Sequence, residues 1–145
     1  MDTDTAARLE LYRRFVEDRR APTHAEVGET LGLSAEESAE SFRRLAESHV
    51  IVLRPGTLEL WMANPLSAVE TPYRVETPQG SYYGNCAWDA LGVLAMLGSD
   101  GVVATACADC GERLELRVGG GELEAEGVAH FLVPASHWWD DIGHT

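Results

Sequence analysis

Tyr83-Gly84-Asn85-Cys86-Ala87-Trp88-Asp89-Ala90-Leu91-Gly92 is the stretch on which the reading of this chain turns. Asn85 or Gly84 is placed to cap a helix, Leu91, Val93, Leu94 and Leu97 give that helix an apolar body, and Gly98 closes it. The helix divides the sequence. Upstream of it apolar residues recur at helical spacing; downstream they alternate as in strands, so the expected class is α+β. Cys86 is expected in the first turn, where unpaired N–H groups and the positive end of the helix dipole stabilise a thiolate. Asp89, three residues on, shares a helix face with the sulfur. A nucleophilic sulfur beside a proton-carrying carboxyl is a reactive pair. A small buried cysteine and an acid that only complements the dipole would use the same two residues.

Working outward toward the N-terminus, residues 4–20 carry Leu9, Tyr12, Phe15 and Val16 at helical spacing, and Ala21-Pro22 breaks the pattern. Thr23-His24-Ala25-Glu26 and Ser34-Ala35-Glu36-Glu37 have capping-box spacing. They predict a short helix ending at Gly32 and a longer one to about His49, with Ala35, Ala39, Phe42, Leu45 and Ala46 inward. Residues 50–53 and 58–61 are strand-like around the turn Arg54-Pro55-Gly56-Thr57. Three helices and a hairpin are the order of a winged helix-like domain, assigned to residues 1–63. Its recognition helix would carry Glu36, Glu37, Glu40 and Glu47 against Arg43 and Arg44, which opposes phosphate contact and favours a structural or docking role.

Residues 64–80 hold three prolines and little periodicity, so they are read as a linker with a short extended piece at 73–76. Beyond Gly98, residues 102–106, 114–118 and 128–133 read as strands, with 122–125 as a further short one, giving an antiparallel β-meander. Pro134 ends the last run, and residues 135–142 suit a helical turn. The third unit, residues 81–145, is thus one helix and a meander.

The balance of 11 Lys and Arg against 24 Asp and Glu gives a formal charge of −13, which repels nucleic acid and anionic lipid. No apolar run approaches the ~20 residues of a membrane span, and the acidic start Met1-Asp2-Thr3-Asp4 does not read as a signal peptide. A cytoplasmic location without membrane association is expected. Three cysteines, Cys86, Cys107 and Cys110, point to thiol or soft-metal chemistry over a disulfide framework.

Cys107-Ala108-Asp109-Cys110-Gly111 is a C-x-x-C-G knuckle, half of a zinc-ribbon site. Zinc on Cys107 and Cys110 would need two further ligands, and Cys86, His130 or His144 could only be borrowed. A tight turn with spectator cysteines is the simpler reading. Of the other histidines, His24 and His49 fall at helix ends, while His137 and His144 flank Trp138-Trp139-Asp140-Asp141 as candidate site lining. Gly119-Gly120-Gly121 lacks the Lys-Ser/Thr of a phosphate loop.

Asn85-Cys86-Ala87-Trp88-Asp89-Ala90-Leu91, a β-meander, Val128-Ala129-His130-Phe131-Leu132-Val133-Pro134 and Trp138-Trp139-Asp140-Asp141-Ile142, all behind a winged helix-like module, together resemble the alkylmercury (organomercurial) lyase family. The resemblance runs over nearly the whole chain, and its most specific piece is C-A-x-D at 86–89. It implies that Cys86 binds mercury and that Asp89 takes part in proton delivery. The substrates implied are organomercurials, the partners low-molecular-weight thiols, with no organic cofactor. Soft thiolate is the fitting ligand for soft Hg(II). Family members carry a second catalytic cysteine shortly after the segment matching residues 140–145, and this sequence reaches Thr145 without it. The expectation is a family member short on its C-terminal side; a shortened gene reading, a selenocysteine codon and loss of lyase activity each give that pattern. Cys107 or Cys110 would substitute only if the meander brings one near Cys86. A non-catalytic thiol-based metal-binding or metal-sensing winged-helix protein is the alternative.

Overall fold

The computed structural model describes residues 1–144. Three helices come first: α1 (Thr3–Asp18), α2 (His24–Leu31) and α3 (Ala35–Glu47). Each begins at a residue whose side chain accepts an orphan backbone N–H. Asp2 takes the N–H of Thr5, while Thr23 and Ser34 form reciprocal capping boxes with Glu26 and Glu37. Gly32 closes α2 in the left-handed region at φ 67°. A small antiparallel sheet follows, made of β1 (Val52–Leu53), β2 (Leu60–Ala63) and β3 (Leu66–Ser67) in that order.

The second sheet has five strands: β4 (Arg74–Thr77), β5 (Gly80–Tyr83), β6 (Gly101–Ala106), β7 (Arg113–Gly119) and β8 (Glu122–Glu124). Their spatial order is β5-β4-β6-β7-β8, antiparallel throughout. Helix α4 (Ala87–Leu97) carries the chain from β5 over β4 to β6 and buries Ala90, Val93 and Leu94 against them. The α+β architecture read from the sequence is the one observed.

Two expectations are corrected. Residues 64–80, read as a linker with an extended piece at 73–76, contain β3 and β4; the extended piece is β4, and it pairs with strands on both sides near the centre of the larger sheet. One apolar core runs through the chain, from Leu11, Phe15 and Phe42 through Leu66 to Val75, Tyr82, Val93 and Val103. Long-range hydrogen bonds fasten the halves: Tyr82 Oη donates to Val16 O at 3.0 Å and Arg19 donates to Gln79 O at 2.6 Å. The prolines misled because they sit at strand ends and turns, where no ladder N–H is required.

Residues 128–133, read as a strand, form none. Gly127, at φ 139°, interrupts the extended backbone just beyond β8, and the apolar run that follows pairs with neither sheet although β8 is an edge strand. Val128 and Leu132 are left 93% and 90% exposed. The following residues make a 3-10 turn (Ala135–Asp140) that packs back on the helical half. Trp139 stacks on His49 with ring centroids 4.1 Å apart, and Gly143 lies so close to Trp61 that a Cβ there would come within 2.5 Å of the indole.

Candidate active site

Cys86 is the N-cap of α4 and does not lie inside its first turn; neither Gly84 nor Asn85 is the cap. Its backbone is extended, at φ −148° and ψ −177°, and its carbonyl accepts the N–H of Ala90 at 2.9 Å. The sulfur thereby takes the place a serine oxygen occupies in an ordinary cap, accepting the N–H of Asp89 at 3.4 Å. That contact favours the thiolate, as the sequence suggested, but burial acts the other way and is larger. The Cys86 thiol is pushed above its usual range by desolvation, and the nearby Asp89 carboxylate adds to the rise. Burial thus favours the protonated thiol at Cys86.

Asp89, in the first turn of α4, is half-buried, and desolvation raises its pKa above the ordinary carboxylate value. The opposing influence is a hydrogen bond from Asn85 Nδ2 to Asp89 Oδ2 at 3.0 Å. The same amide donates to Asn64 Oδ1 at 3.0 Å, so Asn85 ties the start of α4 to the turn between β2 and β3. Asn85 Oδ1 is buried without a hydrogen-bond partner among the described residues. Helix α1 reaches the same place: Tyr12 Oη donates to Asn64 O at 2.7 Å. Burial raises the Tyr12 pKa, with Arg8 lowering it and Asp89 adding to the rise, so all three lie within electrostatic reach.

Gly84 and Gly92 let this assembly close up. A Cβ on Gly84 would lie 2.4 Å from the backbone nitrogen of Ala90, and one on Gly92 would lie 3.2 Å from Pro65. Trp88, between the two candidate residues, turns outward and is 69% exposed. Sequence reasoning proposed Cys86 and Asp89 and missed Asn85 as the partner of Asp89, along with Asn64 and Tyr12. Asn85 could have been suspected from its adjacency to Cys86. Tyr12 offered no signal, being an ordinary amphipathic-helix aromatic.

The other sequence candidates make no hydrogen bond to this pair among the described residues. His137 and His144 are exposed, and their Nδ1 atoms each sit 2.9 Å from a carboxylate three residues away, Asp140 and Asp141 respectively. His130 is exposed. Cys107 and Cys110 occupy the turn between β6 and β7 as free thiols. The N–H groups of Cys110 and then Asp109, with the Cys110 thiol, hold the Cys107 pKa below the usual thiol value. Among the described residues no group of three or more His, Cys, Asp or Glu side chains converges on a common point. No described helix is long and apolar enough to cross a membrane.

Comparison with known proteins places these features in a family. The profile of the alkylmercury lyases matches residues 66–145, more than half of the chain. Among solved structures, the mercury-bound form of MerB2 superimposes with a TM-score of 0.66 at 22% identity, over 84% of this chain and 58% of that one. The chain thus spans under two thirds of the length of the structure it matches. No curated protein sequence matches.

Proposed function

Because the chain belongs to the alkylmercury lyase family, we propose that it binds organomercurials at Cys86 and breaks their carbon–mercury bond by protonation from Asp89. The observation that carries this reading is the single-turn geometry: Cys86 Sγ accepts the backbone N–H of the residue whose buried carboxyl is raised toward the protonated form. Proton transfer to carbon needs a carboxylate that can take up the thiol proton and then deliver it, which a pKa above that of a free aspartate favours. Burial moves Asp89 in that direction.

The reaction balances with the residues present. As R–Hg⁺ meets the Cys86 thiol, the thiol proton passes to the Asp89 carboxylate and an S–Hg bond forms. Asp89 then returns that proton to the carbon, which takes the electron pair of the Hg–C bond and leaves as R–H. Mercury stays Hg(II) throughout, held by the Cys86 sulfur with the Asp89 carboxylate as countercharge. Asn85 orients Asp89 through its 3.0 Å hydrogen bond, and Tyr12 and Asn64 hold that assembly from the helical side. A low-molecular-weight thiol supplies the further sulfur that removes Hg(II), which suits a cytoplasmic setting. The winged helix-like residues 1–63 act as a buttress, since Glu36, Glu37, Glu40 and Glu47 on α3 oppose nucleic acid.

The test is incubation of the protein with phenylmercury or methylmercury and excess thiol, with benzene or methane measured by gas chromatography. The intact chain releases hydrocarbon, Cys86→Ser releases none, and Asp89→Ala retains stoichiometric mercury while cleaving about 10²–10⁴-fold more slowly. Hydrocarbon release that is unchanged in Cys86→Ser sinks the assignment.

A further inference from the structure

The C-x-x-C-G turn lies outside the Cys86 site, and its geometry is that of a preformed dithiol. Cys107 N–H donates to Glu112 O at 2.8 Å and Gly111 N–H donates to Cys107 O at 2.9 Å, with Gly111 in the left-handed region at φ 74°. These bonds fold the turn, and the N–H groups of Asp109 and Cys110 with the Cys110 thiol act on the Cys107 sulfur to lower its pKa. Neither sulfur is committed to a disulfide, and Cys110 is exposed.

The register of the sheet adds a second observation. Tyr83 of β5 and Ala104 of β6 both pair with Arg74 of β4, from opposite sides. Since β4 is antiparallel to each, β5 and β6 run the same way and leave the sheet at one end. Cys86 follows Tyr83 by three residues, and Cys107 follows Ala104 by three. The two strand ends are two interstrand spacings apart, about 9–10 Å. The knuckle and Cys86 therefore open on the same end of the sheet.

We propose that Cys107 and Cys110 form a receiving site for Hg(II), bound as a two-coordinate bis-thiolate and filled by thiol exchange from Cys86. The donor set selects the metal. Zinc wants four ligands in a closed structural site, and this turn offers two, with no third donor gathered beside them among the described residues. A soft d10 cation that is content with two sulfurs is satisfied by the turn alone. The exchange balances without redox change. Cys86–S–Hg–S–R, where R–S is a small thiol, reacts with the Cys107 and Cys110 thiols. The products are Cys107–S–Hg–S–Cys110, the Cys86 thiol and R–SH; the two knuckle protons end on the two departing sulfurs. A chelating pair wins over separate monothiols because the second sulfur is already in place. The exchange step rests on the lyase reading of Cys86, whereas binding at the knuckle does not.

The test therefore uses inorganic mercury, which requires no carbon–mercury cleavage. Reduced Cys86→Ser protein is titrated anaerobically with HgCl2 against a large excess of glutathione, desalted, and assayed for mercury and for thiolate–mercury ultraviolet absorption. It retains one equivalent, and the triple variant Cys86→Ser/Cys107→Ser/Cys110→Ser retains at least tenfold less. In a second arm the intact chain and Cys107→Ser/Cys110→Ser are loaded with HgCl2 and exposed to glutathione; the intact chain holds its mercury at least tenfold longer. Equal retention by the single and triple variants overturns the proposal. So does zinc retained at half an equivalent per chain in a dimer, because that assigns the knuckle to a shared four-sulfur site.

Discussion

Replacing Gly84 by alanine perturbs the site with one methyl group. The new Cβ falls 2.4 Å from the backbone nitrogen of Ala90, 2.6 Å from its Cα and 2.9 Å from its Cβ. An ordinary contact begins near 3.4 Å, so one partner has to give by 1.0 Å. Neither is a flexible side-chain end. Gly84 is held by its N–H on Tyr73 O at 3.0 Å, by Thr71 Oγ1 on its carbonyl at 2.6 Å and by a bridge to Leu66. Ala90 is fully buried, and its N–H is bonded to Cys86 O. Overpacking against such surroundings costs about 1–3 kcal/mol, and the smaller unfolded-state entropy of alanine offsets roughly 0.4–1 of it. The net loss is about 1–2 kcal/mol, which for a chain of this size lowers Tm by about 2–8 °C. Relief by sliding the start of α4 also moves Cys86 and Asp89 and stretches the Asn85–Asn64 bond, and a displacement near 1 Å costs about 10²-fold in rate. Urea unfolding and hydrocarbon release on Gly84→Ala read both effects. Gly119→Ala is the control: its Cβ meets nothing closer than 3.7 Å, so its stability stays within about 0.5 kcal/mol of the parent. A Gly84→Ala protein as stable and as active as that control refutes the close-packing argument.

Asp89→Asn should raise stability at neutral pH while abolishing rapid cleavage. Because burial raises the Asp89 pKa, the folded state holds its proton longer than the unfolded one, so this group's contribution falls as pH rises from about 3.8 through its folded value. Denaturant midpoints from pH 4 to 8 should show that decline in the parent and a flatter curve in the variant. Glu10 has the opposite sign: hydrogen bonding to Arg13, then Arg14, holds its pKa down at about 2, against an ordinary 4.5. Its contribution is present above pH 4.5 and is lost as pH falls toward 2. Glu10→Gln therefore destabilises the protein at pH 6 by roughly 1 kcal/mol, the partners being partly exposed, with the difference vanishing near pH 2. Leu94→Ala removes a side chain 1% exposed between α4 and the sheet, and should cost about 2–5 kcal/mol in urea unfolding. Ser34→Ala, which removes the acceptor for Glu37 N–H at 3.2 Å, should cost about 1 kcal/mol by the same measurement.

Local chemistry was written plainly in the sequence. Capping boxes at Thr23 and Ser34 set the starts of α2 and α3, glycines at 32 and 98 set the ends of α2 and α4, and alternation set β6 and β7. These features depend on side chains within four residues of the backbone they satisfy, which is why spacing reveals them. Cys86 and Asp89 were legible for the same reason, one turn being a local distance. What lay beyond was set by contacts between distant segments. The linker reading of 64–80 failed because β4 takes its partners from residues 80–83 and 102–104. The strand reading of 128–133 failed because an apolar run becomes a strand only where the fold pairs it with another, and beyond Gly127 this one is left unpaired.

The site shows the same division. Sequence determined which sulfur and which carboxyl share a helix turn, and it suggested a dipole-stabilised thiolate. Tertiary structure set the direction in which each pKa moves, because desolvation comes from the neighbours that cover a group; here it exceeds the help of one backbone N–H to Cys86 and of the Asn85 amide to Asp89. Packing also brought Asn64 and Tyr12 to Asn85, and strand register put the C-x-x-C turn at the same sheet end as Cys86. A residue's type and spacing fix the chemistry it can perform. The depth at which the fold buries it, and what the fold sets beside it, determine the protonation state in which it acts.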